Sequence, residues 1–185
     1  MSAAIPAELV GNRIIIWSIE DARSLFKEGF YGKPLGIPKP KNAEFNAPLV
    51  LDLIEGYYLL ERGRITIRRS PLHSKVGIKM LKKICESEYI EFPEKYLVYR
   101  NLRDAGLVVS PGIKFGCDFA VYEHGPGIDH APYLVEVVKP SQDLTATRII
   151  LSGRLATTVR KQFILAVADV VQKRVEFITF DWWRA

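Results

Sequence analysis

The chain has 185 residues, 48% of them hydrophobic, and 26 lysines and arginines against 21 aspartates and glutamates give a net charge of +5. This composition is typical of a globular protein with a true core, and the mild positive excess argues against a histone-like binder. No apolar run approaches the roughly 20 residues of a membrane span, and the first residues lack the pattern of a secretory signal. The two cysteines, Cys85 and Cys117, lie far apart, so no disulfide framework is expected and a cytoplasmic location is predicted.

The first half of the chain is predicted to form a small N-terminal domain over residues 1–90. Residues 12–17 predict a β-branched strand, and Ser18 begins a helix that extends to about residue 28. Three prolines, three glycines and three lysines between residues 29 and 46 predict a long loop, and long loops are usually functional or disordered. Its Lys39 and Lys41 are therefore candidate nucleic-acid contacts.

Two amphipathic helices separated by a strand are expected after this loop. Asn46 and Pro48 occupy good N-cap and first-turn positions for a helix that continues to Leu60. Residues 65–68 predict the strand, and residues 74–87 predict the second helix.

A basic run covers residues 62–83, which contain no acid. Its eight bases are Arg62, Arg64, Arg68, Arg69, Lys75, Lys79, Lys82 and Lys83. A polyanion is the natural partner of such a run, and a solvated face that binds nothing is an equally good explanation.

The second half, residues 91–185, is predicted to be a mixed sheet flanked by helices. Residues 91–94 form the expected hinge, and a helix from Pro93 to Ala105 ends where Gly106 supplies a left-handed residue. Strands are expected over residues 107–110, 118–123, 133–138, 163–168 and 175–182, with a helix over about residues 143–160. Because strands and helices mix without strict alternation, the predicted class is α+β.

Motifs for common cofactors are missing. There is no Walker A run, FGCDFAVYEHGPG does not supply a dinucleotide fingerprint, and the three histidines lack the spacing of zinc ligands. We therefore expect neither a cofactor nor a metal. Asp118, Glu136 and Lys139 loosely match the D…ExK spacing of restriction-type nucleases, which leaves a metal-dependent DNA nuclease as an alternative. For Glu136, pairing with a neighbouring base is an equally good explanation.

Three further side chains carry acid–base or electrostatic chemistry. Tyr122 ends a strand, His130 lies in the loop that follows, and Lys161 comes after a basic helix. Each also has a purely structural role open to it: a half-buried strand aromatic, a loop histidine bonded to backbone, and a solvated cation at a helix end. The residues alone leave both possibilities open.

Three separated segments, YLVYRNLRDAGLVVSPGIKFGCDFAVYEHG, HAPYLVEVV and GRLATTVRKQFILAV, resemble the catalytic subunit of archaeal tRNA splicing endonucleases. The resemblance is close over residues 96–168, and the first half more loosely resembles the small N-terminal domain of this family. It implies a small N-terminal α/β domain followed by a C-terminal mixed-sheet nuclease domain. It also implies metal-free cleavage of precursor tRNA at exon–intron borders within a bulge-helix-bulge, leaving 2′,3′-cyclic phosphate and 5′-hydroxyl ends.

The resemblance places the catalytic tyrosine, histidine and lysine of the family at Tyr122, His130 and Lys161. Attack by a ribose 2′-hydroxyl on its own phosphate needs a base, an acid for the leaving 5′-oxygen and a cation for the developing charge. We expect Tyr122, His130 and Lys161 to take these roles in that order. A phenol is a poor base unless nearby cations lower its pKa, and Arg160 and Lys161 are the expected cations.

The same resemblance implies a pair of arginines that stack on a flipped-out bulge base. Arg154 is one of them, and Arg184 is our candidate for the other. Because seven residues return to nearly the same helix face, Arg154 and Lys161 are expected to face the RNA together if the helix continues that far.

A structural subunit is the expected protein partner. Family members often carry an acidic loop before the last strand, whereas this chain has ADVVQKR, with Asp169 as its only acid. Residues 33–45 resemble the insertion of crenarchaeal enzymes, which pair two catalytic with two structural subunits. The resemblance therefore implies an α₂β₂ assembly in which this chain is catalytic. The alternative, that the chain is itself the structural subunit, is disfavoured by the presence of all three catalytic residue types.

Overall fold

The computed structural model describes residues 3–37, 40, 42–72, 74–128 and 130–180. The chain forms two compact units that divide between Phe92 and Pro93. Each unit combines helices with one mixed sheet, so the predicted α+β class and the order of its two parts are confirmed. Among the described residues, no helix is long and apolar enough to cross a membrane.

The N-terminal unit is built on one sheet. In chain order its elements are β1 (Ile5–Val10), β2 (Arg13–Ile16), α1 (Ile19–Gly29), β3 (Lys33–Pro34), β4 (Leu49–Leu51), α2 (Leu53–Glu61), β5 (Ile65–Arg69), β6 (Ser74–Val76) and α3 (Ile78–Glu88). The strand order is β3-β4-β2-β1-β5-β6, and only the β1–β5 pair is parallel.

Two helix starts in this unit follow from side-chain caps. The Ser18 hydroxyl accepts a hydrogen bond from the Asp21 backbone N–H at 3.3 Å, which begins α1 as predicted. The predicted helix start at residues 46–48 is wrong, because Leu49–Leu51 form strand β4, which pairs with β2. The helix begins only after Asp52, whose carboxylate forms a capping box with Glu55. Similarly, residues 74–76 form β6 before α3 begins.

The two faces of this sheet differ in burial. Alternate residues of the central strands, among them Leu9, Ile14 and Ile67, are fully buried. Helix α2 packs on this face so closely that a Cβ on Gly56 would overlap the Ile14 side chain. The intervening residues on the opposite face are exposed or half-buried.

The C-terminal unit holds the second sheet. Its elements are α4 (Phe92–Asp104), β7 (Val108–Pro111), a 3₁₀ turn (Ile113–Phe115), β8 (Phe119–Tyr122), β9 (Tyr133–Val138), α5 (Ala146–Thr158), β10 (Gln162–Asp169) and β11 (Arg174–Thr179). The strand order is β11-β10-β9-β8-β7. Helix α5 joins β9 to the parallel strand β10, while the other neighbours are antiparallel.

All five predicted C-terminal strands are present, but two helix boundaries differ from expectation. Helix α4 already begins at Phe92, so Pro93 lies within its first turn, where a missing N–H costs nothing. Helix α5 ends at Thr158, and Arg160 adopts a left-handed conformation with φ of 55° before β10 begins. The predicted helix start at Pro93 and the predicted helix end at residue 160 are therefore displaced by one and two residues.

Helices cover both faces of this sheet. On one face, Ala156 of α5 joins Ala120, Leu134 and Phe163 in a buried apolar cluster. On the other, Phe119 contacts Tyr99 of α4 with a ring separation of 5.9 Å. Alternation along β8 therefore does not separate core from solvent: Phe119, Ala120 and Val121 are all buried, and Tyr122 is half-buried.

Candidate active site

Three adjacent strands bring the predicted catalytic residues to one end of the C-terminal sheet. Val121 near the end of β8 lies opposite Tyr133 at the start of β9. Tyr133 in turn lies beside Gln162 at the start of the parallel strand β10. Three sites adjoin this row of paired residues: Tyr122, the segment that contains His130, and Lys161. The topology thus juxtaposes residues that are up to 39 positions apart in the chain.

Lys161 is held by one hydrogen bond and one aromatic contact. Its Nζ donates a hydrogen bond to the Ala131 carbonyl, next to His130, and lies 5.3 Å from the centroid of the Phe115 ring. Its backbone N–H closes the end of α5 by donating to Ala156 O at 2.8 Å. A cation over an aromatic face is stabilised by the ring quadrupole. The amine is therefore fixed beside the histidine segment.

Tyr122 ends β8, and His130 lies just before β9. Tyr122 is half-buried and, like Phe115, packs against the apolar cluster that includes Ala131. His130 is exposed in the segment directly before β9. At this end of the sheet, the His130 imidazole is therefore more open to a ligand than the Tyr122 phenol.

A cavity of about 600 Å³ adjoins the lysine. Helix α5, the start of β10 and Phe180 form it; its lining residues are Ile149, Ile150, Gly153, Thr157, Lys161, Gln162, Phe163 and Phe180. Mostly apolar walls with one ammonium group suit a ligand that has both an apolar part and a negative charge.

The predicted substrate-binding residues are only partly described. Arg154 is exposed on α5, beside Gly153 of the cavity wall. The helix does not continue to Lys161, so the condition for a shared helix face is not met. Lys39, Lys41 and Arg184 lie outside the described residues.

Asp118 and Lys139 of the alternative metal site are both engaged with α4. Asp118 pairs with Lys95 at 2.8 Å and accepts a hydrogen bond from the Val137 N–H at 2.8 Å. The Lys139 ammonium lies 3.7 Å from Glu94. Each charge therefore already has an opposite charge as its neighbour.

Glu136 belongs to a different face. This buried carboxylate accepts hydrogen bonds from Arg148 Nε at 2.6 Å and from the Ser152 hydroxyl at 3.1 Å, both on α5. Sequence reasoning missed Arg148 and Ser152, although an amphipathic helix directly after β9 is where such partners arise. Glu136 thus fastens α5 to the sheet and does not join Asp118 in a common site.

Both cysteines and Tyr133 are poorly suited to act as bases or nucleophiles. Burial, followed by the charge of Asp118, raises the pKa of Cys117 to about 11. Burial, followed by the charge of Asp52, raises the pKa of Cys85 to about 12. The Tyr133 hydroxyl donates a hydrogen bond to Glu123 at 2.8 Å, and this bond raises the pKa of Tyr133. These groups stay protonated at neutral pH.

Comparison with known proteins agrees with this architecture. Residues 5–75 match the family model of the tRNA intron endonuclease N-terminal domain, and residues 92–177 match that of its catalytic C-terminal domain. The tRNA-splicing endonuclease of Hyperthermus butylicus is 43% identical over 178 residues, which cover 96% of this chain and 98% of the relative. The enzyme of the same name from Sulfurisphaera tokodaii is 42% identical, covering 95% and 97%, and that of Pyrobaculum aerophilum is 41% identical, also covering 95% and 97%.

The fold and these matches define an endonuclease with a separate N-terminal domain. The chain belongs to the tRNA intron endonuclease family. It is an enzyme of tRNA splicing, as the sequence resemblance predicted.

Proposed function

We propose that the chain is the catalytic subunit of a tRNA splicing endonuclease that cuts precursor tRNA at exon–intron junctions within a bulge-helix-bulge. Cleavage needs no metal and leaves 2′,3′-cyclic phosphate and 5′-hydroxyl ends. The observation that carries this proposal is the position of Tyr122, His130 and Lys161, which adjoin one end of three neighbouring strands. This is a sufficient set for general acid–base cleavage at a ribose phosphate.

Lys161 has the geometry of an electrostatic stabiliser. An ammonium group has three donors, and the Ala131 carbonyl takes one of them. The other two are available to non-bridging phosphoryl oxygens as negative charge develops. The hydrogen bond to Ala131 and the Phe115 ring hold the amine before substrate arrives, so little reorganisation is needed during the reaction.

We propose His130 as the acid and Tyr122 as the base. His130 is exposed and can approach the 5′-oxygen as acid. Tyr122 packs against the same apolar cluster as Phe115, and the Lys161 amine lies 5.3 Å from the centroid of the Phe115 ring. A cation near a phenol favours the phenolate, which is the form that accepts the 2′-proton.

Substrate binding completes this proposal. Arg154 is exposed beside the cavity, where its guanidinium plane can stack on an unpaired bulge base. Arg184 is proposed as the second stacking arginine, and Lys39 and Lys41 as phosphate contacts.

The proposed assembly is an α₂β₂ heterotetramer with a structural subunit, in the cytoplasm. Asp169, the only acid of the β10–β11 turn segment ADVVQKR, accepts hydrogen bonds from the Val171 and Gln172 N–H groups at 3.0 and 2.9 Å. The Asp169 carboxylate therefore forms hydrogen bonds within its own turn. A stable, active homotetramer of the purified chain, seen by light scattering and cleavage assay, would contradict this assembly.

Single-turnover cleavage of a precursor tRNA tests the catalytic roles. Loss of a proton-transfer group should slow cleavage by roughly 10²- to 10⁴-fold, so His130→Ala and Tyr122→Phe are expected in that range, with Lys161→Ala similarly impaired. Matched controls exist for each chemistry: His124→Ala, Tyr133→Phe and Lys83→Ala. Wild-type rates for His130→Ala, or equal losses in the controls, would contradict the assignment.

A further inference from the structure

One face of the N-terminal sheet carries a continuous row of side chains that the proposed cleavage chemistry does not use. The row crosses all six strands, because each member is the register partner of the next: Lys33, Val50, Ile15, Glu8, Arg68 and Lys75. Neighbours in register point to the same face, and five inter-strand steps of about 4.8 Å give a width of about 24 Å. The three basic side chains of the row are exposed. The three residues between Lys33 and Arg68 are half-buried.

An exposed tryptophan stands on this face. Trp17 directly follows β2, two positions after Ile15, and 53% of its surface is exposed. Its indole Nε1 donates a hydrogen bond to Glu8 at 2.7 Å, and Glu8 belongs to the row. The only polar group of the indole is thus satisfied within the protein, while much of its apolar ring remains open to a planar partner.

The charges of the row favour an anion. Within the described part of the chain, Lys33, Arg68 and Lys75 form no ion pair. Arg68 and Lys75 lie directly opposite each other on β5 and β6, an arrangement that is destabilising unless an anion lies between them. Glu8, the one acid, is the register partner of Arg68 and accepts the Trp17 hydrogen bond, so three basic side chains against one acid leave the row with a net charge of +2. A ligand with planar groups and closely spaced negative charges could contact both the exposed Trp17 ring and the basic side chains of the row.

We propose that this face binds single-stranded RNA, with one base stacked on Trp17 and the phosphate backbone running towards Arg68 and Lys75. An open sheet face with exposed aromatic side chains and neighbouring lysines or arginines is a general platform for unpaired RNA. The family's role in tRNA splicing supplies the RNA, and an unpaired part of the precursor outside the cleavage junction fits the site. The proposal does not depend on which residues perform cleavage.

Direct binding of the full-length chain to a fluorescent eight-nucleotide oligouridylate tests the site by anisotropy. Loss of one stacked base weakens binding by roughly 5- to 150-fold, so Trp17→Ala is expected in that range, whereas Trp17→Phe should keep most of the affinity. Arg68→Ser/Lys75→Ser should weaken binding and make the salt dependence shallower by about 1.4 logarithmic units per decade of salt, about 0.7 for each lost phosphate contact.

The matched control is Lys79→Ser/Lys83→Ser, which removes the same charge from the exposed surface of α3. It should leave both the affinity and the salt slope near wild type. If the two double variants changed the affinity and the salt slope equally, binding would depend only on overall charge, and the proposal would be overturned. Wild-type affinity of Trp17→Ala would also overturn it.

Two further readouts distinguish RNA binding at this face from protein association and from catalysis. Sedimentation of Trp17→Ala should match wild type; a changed oligomeric state with unchanged RNA binding would assign the face to a protein partner and overturn the proposal. His130→Ala should bind oligouridylate like wild type even though it is expected not to cleave. If His130→Ala cleaves normally while Trp17→Ala loses binding, the proposed catalysis fails and the RNA-binding face stands.

Discussion

The ion pair between Glu136 and Arg148 offers a sharp test of how α5 is held. We consider Arg148→Met, which keeps much of the aliphatic stem and removes the cation from a buried carboxylate. Breaking a fully buried pair costs about 3 to 5 kcal/mol, because the remaining charge stays buried. The Arg148 side chain is 47% exposed, so solvent screening lowers this value, and Ser152 still donates to Glu136. We expect a loss of about 2 kcal/mol in the free energy of unfolding.

The matched control for this prediction is the surface pair of Arg174 and Glu176 on β11. These side chains are 64% and 56% exposed and lie 2.7 Å apart, so Arg174→Met should cost no more than about 1 kcal/mol. Denaturant unfolding of each variant gives the comparison. The double variant Glu136→Leu/Arg148→Leu should recover much of the loss, because no charge then stays buried. Equal costs for Arg148→Met and Arg174→Met would refute the reasoning.

Three smaller predictions concern local packing, thiol chemistry and capping. Gly112→Ala should lower the free energy of unfolding by about 1 to 3 kcal/mol, because its Cβ would lie 2.8 Å from the backbone nitrogen of Phe119. Gly77→Ala has open space around its Cβ and should lower it by less than about 1 kcal/mol. Equal losses would contradict the packing argument. Burial raises the pKa of Cys117 to about 11 and that of Cys85 to about 12, so at neutral pH their thiolate fractions fall about 100-fold and 1000-fold below those of ordinary thiols. A chromogenic disulfide reagent should therefore label the folded chain slowly and the unfolded chain fast; rapid labelling of the folded chain would be inconsistent with this. Asp52→Ala removes the capping box of α2 and should cost about 1 kcal/mol or more, whereas an unchanged unfolding midpoint would argue against the cap.

Much of the C-terminal unit is predictable because its local signals agree with its fold. The sequence predicts a strand over residues 133–138, and β9 spans Tyr133–Val138. Its near-continuous apolar run suits a sheet covered on both faces. The proposal of Tyr122, His130 and Lys161 as catalytic residues comes from the family resemblance, because their proximity depends on strand order, which no local pattern reveals.

The errors have identifiable physical causes. Strand β1 escapes prediction, because Pro6 cannot donate to a strand ladder and therefore disfavours a central strand. Asn46 and Pro48 resemble a helix start, but the capping box at Asp52 and the pairing of Leu49–Leu51 with β2 decide the boundary. Single-residue propensities cannot rank such competing signals, because tertiary pairing overrides them.

The RNA-binding face illustrates a second limit of sequence reasoning. The basic run of residues 62–83 is visible in the sequence, but its bases are divided among different surfaces. Arg68 and Lys75 join Lys33 and Trp17 only through the register of six strands. Composition identifies the charge, and topology decides which of the charges act together.

Cleavage of an end-labelled bulge-helix-bulge RNA in excess EDTA tests whether this chain is a metal-independent catalytic subunit. The assay uses the chain with its structural subunit and compares wild type with His130→Ala. Wild type is expected to cleave without metal and to leave 2′,3′-cyclic phosphate and 5′-hydroxyl ends, and His130→Ala is expected to lose this activity. Cleavage that requires Mg²⁺, or products with 5′-phosphate ends, would contradict it.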